Sequence, residues 1–203
     1  MKLWKPITVG LLCLSATGCI MPKSYVDPKY KDIEVGQLKL VENKHHANID
    51  IEFQRNGERF TRADKLLRTN VEKILLDSGV VVPSADPQRI TIKVICNNIA
   101  DLKAARAKGF GTGLTFGAKG SAVTDFYQVT IELKQGDKVI EKKYDHALHT
   151  TIGNAEAPVE GVEPTNPNEA FGGVIEDVIL QFIKDMQAQN ILTLEALFLK
   201  KQA

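Results

Sequence analysis

The sequence predicts an α+β domain: a mostly antiparallel sheet with two main helices packed on one face, and a short C-terminal helix. Three observations support this fold class. Several short stretches alternate apolar and polar residues, two longer stretches repeat apolar residues at helical spacing, and these stretches follow one another as strand, helix, strands, hairpin and helix.

Alternation of apolar and polar residues predicts four strands. Residues 47–53 and 90–96 each place apolar side chains on one face only. Residues 127–133 follow the same pattern, and the turn residues 135–137 connect them to a returning strand at 140–148. The last two strands therefore form a hairpin.

Helical spacing of apolar residues predicts the helices. The first begins near Thr61 with a capping-box-like sequence and ends at Gly79. The second begins at Asn166-Pro167, and residues 171–186 form a wide apolar stripe suited to covering a sheet. Residues 191–199 predict the short terminal helix.

Composition and charge limit the function classes. Of 203 residues, 43% are hydrophobic and 25% charged, which is typical of a globular domain. Without residues 1–18, which hold two lysines and no acid, 24 basic residues face 25 acidic ones. A nucleic-acid-binding domain normally has a basic excess on one face. We therefore expect no nucleic-acid partner.

The N-terminus has the plan of a signal peptide. Lys2 and Lys5 precede an apolar stretch at residues 6–16, and small residues occupy 16–18. A helix that crosses a bilayer needs about 20 apolar residues, so this stretch is too short for a permanent anchor. We expect residues 1–18 to be removed.

The residues before Cys19 resemble a bacterial lipobox. Small residues at 16–18 precede the cysteine, although Ala16 stands where leucine is common. The resemblance implies that fatty acyl chains such as palmitate are attached to Cys19, anchoring the chain to a membrane. Ile20, in place of a retaining aspartate, implies the periplasmic face of the outer membrane. The alternative is ordinary cleavage after Gly18 without lipid.

We expect three parts along the chain: a signal peptide at 1–18, a tether at 19–40, and a single domain at 41–203. Two prolines and several charges without a sustained period make residues 20–35 typical of a semi-extended spacer.

No motif predicts a catalytic, metal or cofactor site. Phe116 occupies the position of the third glycine in a G-x-G-x-x-G pattern, so dinucleotide binding is excluded. His146 and His149 are three apart in a predicted strand and would face opposite sides, so they could not share a metal. His45 and His46 are expected in solvent, and Cys96 is expected to be a small buried residue. We expect a non-enzymatic protein without cofactor or metal.

Residues 104–122 are rich in glycine and carry apolar side chains at Phe110, Leu114 and Phe116. One interpretation is a mobile loop whose three apolar side chains bind a partner or a lipid surface. The other is a crossover or bulge whose phenylalanines pack back on the core.

Taken together, residues 16–19, the helix ending at Gly79, the strand at 90–99, the hairpin and the helix from Phe171 resemble YajG-type lipoproteins. The resemblance covers most of the chain. It implies a small α+β periplasmic domain that binds another envelope component and supplies no catalytic residues.

Two function hypotheses follow. The first is an interaction or accessory module in cell-envelope assembly or maintenance, with an envelope protein as partner. It would use a sheet edge, the glycine-rich loop or the terminal helix, and strand addition would suit the fold. The second is a small-ligand or glycan-binding module with a pocket around Tyr127, Tyr144 and His146.

Overall fold

The computed structural model describes residues 21–31, 33–85, 90–99 and 120–193. These residues form an α+β domain, as predicted. Its strands and helices are β1 Lys23–Val26, β2 His45–Arg55, β3 Glu58–Arg59, α1 Asp64–Asp77, β4 Val81–Pro83, β5 Ile90–Ile99, β6 Ser121–Gln135, β7 Lys138–Ile152 and α2 Pro167–Ala188.

The strands form one seven-stranded sheet in the order β1-β7-β6-β5-β2-β3, with β4 also pairing with β2. β2 runs parallel to β4 and β5, whereas the other pairs are antiparallel. The parallel pairs follow from α1, because a helix between two strands returns the chain to the end where the first strand began. The sheet is mostly antiparallel, as expected.

The core lies between the helices and one face of this sheet. Alternate residues of β5 show the division: Ile92, Val94 and Cys96 have no exposed surface, and the residues between them are partly exposed. On the helix side, Phe182 and Ile183 of α2 are also fully buried. The predicted alternation therefore marks the covered face correctly.

The two helices begin differently. The Asn166 side chain accepts hydrogen bonds from the N–H groups of Asn168 and Glu169, so α2 has the predicted cap. The expected start at Thr61 is instead a 3₁₀ turn, and α1 begins at Asp64. The Asp64 carboxylate is not part of a capping box, because it accepts the Phe53 N–H at 2.8 Å and binds Arg59.

Residues 21–31 and 33–40 belong to the folded domain, which corrects the expected tether at 19–40. β1 pairs antiparallel with residues 148–151 of β7. Tyr25, Ile33 and Leu38 are each at least nine-tenths buried. This N-terminal segment, residues 21–40, therefore packs on the sheet and α2 instead of forming a spacer.

Gln187 fastens the end of the N-terminal segment to α2. Its side-chain amide donates to the Lys39 carbonyl at 2.8 Å and accepts the Lys39 N–H at 2.8 Å. The glutamine is 2% exposed. Because both bonds are made to the backbone, they hold the segment whatever side chain stands at position 39.

Gln187→Leu should loosen the N-terminal segment locally. It keeps a side chain of similar size but leaves two backbone groups unpaired, and each costs about 1–3 kcal/mol when buried. Hydrogen exchange should become faster at residues 38–40 and stay unchanged in β5. The control is Gln181→Leu, since the Gln181 amide binds Asp185 on the same helix. Equal exchange rates at residues 38–40 in the two variants would show that Gln187 does not hold the N-terminal segment on α2.

Residues 191–193 are not helical, and the rest of the expected terminal helix at 191–199 lies outside the described residues and stays a prediction.

Candidate functional site

A cleft of about 280 Å³ lies between the N-terminal segment, β7 and α2. We call it the Tyr30 cleft. It is lined by Lys29, Tyr30, Lys143, Tyr144, Asp145, His146, Asp177, Val178 and Gln181.

The turn that follows β1 positions Tyr30 over the cleft. Asp27 caps the 3₁₀ turn Pro28–Tyr30 by accepting the Lys29 N–H at 3.0 Å. The Asp27 N–H in turn donates to the Ala147 carbonyl at 3.2 Å. These two bonds place the Tyr30 ring centroid 5.1 Å from that of His146, in a tilted arrangement.

His146 forms the base of the cleft and is 1% exposed. Its Nδ1 accepts the Ala147 N–H at 2.9 Å, and its Nε2 lies 3.2 Å from Asp177 Oδ2. A proton on Nε2 would be donated to the carboxylate, and Nδ1 also lies 3.1 Å from the Ala147 carbonyl oxygen. The contact with Asp177 connects β7 to α2. Because both ring nitrogens make hydrogen-bond contacts, neither is free to act as a general base.

Tyr144 lies next to His146 on the cleft wall. Its hydroxyl donates to Asp185 Oδ2 at 2.8 Å. Burial, and then this bond, raise the pKa of Tyr144 well above its ordinary value, so the phenol stays protonated. Gln181 Nε2 donates to the other oxygen of Asp185, whereas Gln181 Oε1 is buried and has no hydrogen-bond partner. Gln181 therefore keeps one buried acceptor without a partner.

The rim of the cleft has charges of both signs. Lys29, Lys143 and Asp145 are exposed there, and Lys143 lies 3.3 Å from Glu141. Aromatic rings and a mixed rim suit a small polar molecule without a large net charge better than a polyanion.

Two of the three residues expected around a pocket line this cleft. Tyr144 and His146 line it, but Tyr127 does not. The Tyr127 ring packs 5.6 Å from that of Phe171 within the core, and burial raises its pKa. Sequence reasoning missed Tyr30, because that residue was assigned to the spacer.

His149 has different neighbours from His146, as the alternation predicted. Its Nδ1 lies 2.9 Å from Thr124 Oγ1, and its Nε2 lies 3.3 Å from Asp27 Oδ2. Across residues 21–31, 33–85, 90–99 and 120–193, no three His, Cys, Asp or Glu side chains are grouped as a metal site.

Cys96 has no exposed surface and lies in β5, as the sequence predicted. Burial raises the pKa of its thiol strongly. A thiol that stays protonated and inaccessible is not a nucleophile.

His45 corrects another expectation. It is 6% exposed, whereas its neighbour His46 is exposed, so the two are not both in solvent. The His45 N–H donates to the Val80 carbonyl, and its ring Nε2 has no hydrogen-bond partner. Burial lowers the pKa of His45 below 6.5.

This burial predicts a contribution of His45 to pH-dependent stability. As the pH falls below 6.5, the unfolded chain takes up the proton before the folded chain does, so the free energy of unfolding decreases. His45→Gln should therefore flatten the decrease in urea midpoint between about pH 7.5 and 5.5. The control His46→Gln should show the same change of urea midpoint with pH as the native chain. Equal slopes in all three proteins would show that His45 titrates normally.

A second cavity, of about 380 Å³, lies on the other side of the N-terminal segment. Its walls include Ile33, Glu34, Gly173 and Leu180, and it shares Asp177 with the Tyr30 cleft. The segment thus crosses α2 between two depressions.

Cys19, Phe110, Leu114 and Phe116 lie outside the described residues, so the lipidation site and the partner-binding loop stay predictions. Within the described part, no helix is both long and apolar enough to cross a membrane.

Comparison with known proteins gives structural neighbours but no family. No family model and no curated protein matches the chain. Among solved structures, a minor lipoprotein from Acinetobacter baumannii aligns with 16% identity and a TM-score of 0.39, over 75% of this chain and 96% of that one. A protein described as uncharacterized aligns with 11% identity and a TM-score of 0.28, over 75% and 95%. At these scores the similarity identifies neither a family nor an activity.

Proposed function

We propose that this chain is a lipid-anchored protein of the bacterial envelope that binds another envelope component without catalysing a reaction. Acyl chains on Cys19 would hold it on the periplasmic face of the outer membrane, as the lipobox-like residues and Ile20 imply. Its partner would be an envelope protein, contacted in part through Phe110, Leu114 and Phe116.

One structural observation carries this proposal. β1 begins at Lys23, four residues after Cys19. If residues 1–18 are removed, as we propose, the mature chain begins four residues before a strand of the sheet. Lipid at that position would anchor the whole domain and would not disturb the core.

Two described residues of types common in catalysis, His146 and Cys96, are not placed for it. His146 uses both ring nitrogens in structural bonds, and the Cys96 thiol is buried with a raised pKa. Nucleophilic catalysis needs an accessible nucleophile next to a free base. Neither residue provides one.

Cys19→Ser tests the anchor. We expect the native protein in the membrane fraction and the variant in the soluble periplasmic fraction, because a serine hydroxyl cannot replace the thiol that receives the lipid. Cys13→Ser is a matched control, since Cys13 lies inside the expected signal peptide. This control should remain in the membrane fraction. Release of both variants, or of neither, would contradict lipidation at Cys19.

The Tyr30 cleft supports a second candidate, a periplasmic module for a small ligand such as a glycan fragment. Its aromatic walls and mixed rim carry this candidate. Soluble cell-wall glycan fragments should then raise the melting temperature of the native protein but not of Tyr30→Ala. No shift in the native protein would leave the interaction module as the proposed function.

A further inference from the structure

We infer that the end of the sheet where β1 begins lies against the lipid surface. The turn between β6 and β7 then points away from the membrane. This inference rests on the proposed lipidation of Cys19. The lipid surface is therefore a second contact of the domain, at the same end of the sheet as Ser121, which follows the proposed partner-binding loop.

Chain length sets the first constraint. Four residue steps separate Cys19 from Lys23, the first residue of β1. An extended chain covers at most about 3.6 Å per residue, so Lys23 lies within about 14 Å of the lipidated cysteine. A tether of residues 19–40 would have allowed free rotation of the domain at a distance, but the packed N-terminal segment removes that freedom.

Strand register then defines which end of the domain is near the membrane. Lys23 pairs with Thr151 of β7, and Thr151 pairs with Ala122 of β6. The other end of this hairpin is the turn between Gln135 and Lys138. Thirteen residue steps of β7 separate Lys138 from Thr151, and a strand rises about 3.3 Å per residue, so the two ends are about 43 Å apart.

The side chains at the β7 edge of the sheet favour an upright orientation over one in which the domain lies on that edge. β1 covers only residues 148–151 of β7, and the uncovered part of that strand has exposed charged residues at Lys138, Glu141, Lys143 and Asp145. Burying them in a membrane surface would cost desolvation free energy. Met21, two residues after Cys19, is 72% exposed and can contact lipid without any rearrangement of the core.

Energy transfer from the domain to the membrane tests this orientation. The lipidated full chain would carry one donor dye, on Asn154→Cys after β7 or on Asp137→Cys in the hairpin turn; both positions are exposed. Cys96 is fully buried, and the lipid occupies the Cys19 thiol, so neither competes for the dye. The vesicles would contain phosphatidylethanolamine, phosphatidylglycerol and an acceptor-labelled lipid.

We expect several-fold higher transfer from position 154 than from position 137. Equal or reversed transfer from a lipidated chain would overturn the orientation and leave the proposed function intact. The mass of the purified chain separates the two failures, since a chain without lipid would overturn both. A Cys19→Ser chain with either label should show no transfer, and transfer from it would mean that the domain binds lipid independently of the anchor.

Discussion

Phe182→Ala is expected to lower the free energy of unfolding by about 3–5 kcal/mol, the usual cost of deleting a buried aromatic side chain. Phe182 has no exposed surface and lies in α2, where the helix covers the sheet. Truncation removes apolar contacts and leaves a cavity that packed neighbours fill only partly. Denaturant unfolding followed by circular dichroism measures the loss, since the sole tryptophan of the chain, Trp4, lies in the expected signal peptide.

Leu76→Ala is the control for this experiment. Leu76 is on α1 and 49% exposed, so its truncation should change stability by no more than about 0.5 kcal/mol. Similar losses in the two variants would show that α2 does not form the main contact with the sheet.

His146→Ala should have the second-largest effect, a loss of about 3 kcal/mol. The substitution removes a buried ring that contacts Tyr30 and leaves the Asp177 carboxylate without its partner. Asp177 is 9% exposed, so water compensates only partly for the missing hydrogen bond. The measurement is denaturant unfolding at neutral pH.

Asp145→Ala provides the control, because Asp145 is on the same cleft but exposed. It should change stability by about 0.5 kcal/mol or less. In the double variant of His146→Ala with Asp177→Ala, the loss should be smaller than the sum of the single losses, because the two residues share one interaction. Additive losses would mean that the pair is not coupled.

The sequence predicted those elements whose signal is local. Alternation marked the covered face of β5 and β6, and Asn166-Pro167 marked the start of α2, because the side chains that determine these features are neighbours along the chain. The Gly79 position at the end of α1 was predictable for the same reason: its φ of +72° is one that glycine adopts readily.

The N-terminal segment was assigned wrongly because its structure depends on distant residues. β1 has four residues, too few to show a period, and its partner strand β7 lies far along the chain, with Lys23 paired to Thr151. Ile33 and Leu38 are buried in the segment that this pairing aligns with the domain. Prolines and charges, which favour a spacer, are equally compatible with a segment packed on a surface.

The Tyr30 cleft could be predicted only in part for the same reason. Tyr144 and His146 belong to a recognisable strand, and the alternation put both on one face. Tyr30 and Asp177 come from the N-terminal segment and from α2, so only the tertiary structure brings them to His146. The burial of His45 likewise follows from its pairing with β4.

Lipid on Cys19 is the feature on which both the proposed anchoring and the proposed orientation depend. The most direct test is the intact mass of the mature chain purified from its native membranes, with sequencing of the N-terminal peptide. We expect a chain that begins at Cys19 and carries the added mass of acyl groups on that residue. A mature chain that begins elsewhere, or an unmodified Cys19, would show that the domain is not anchored in this way.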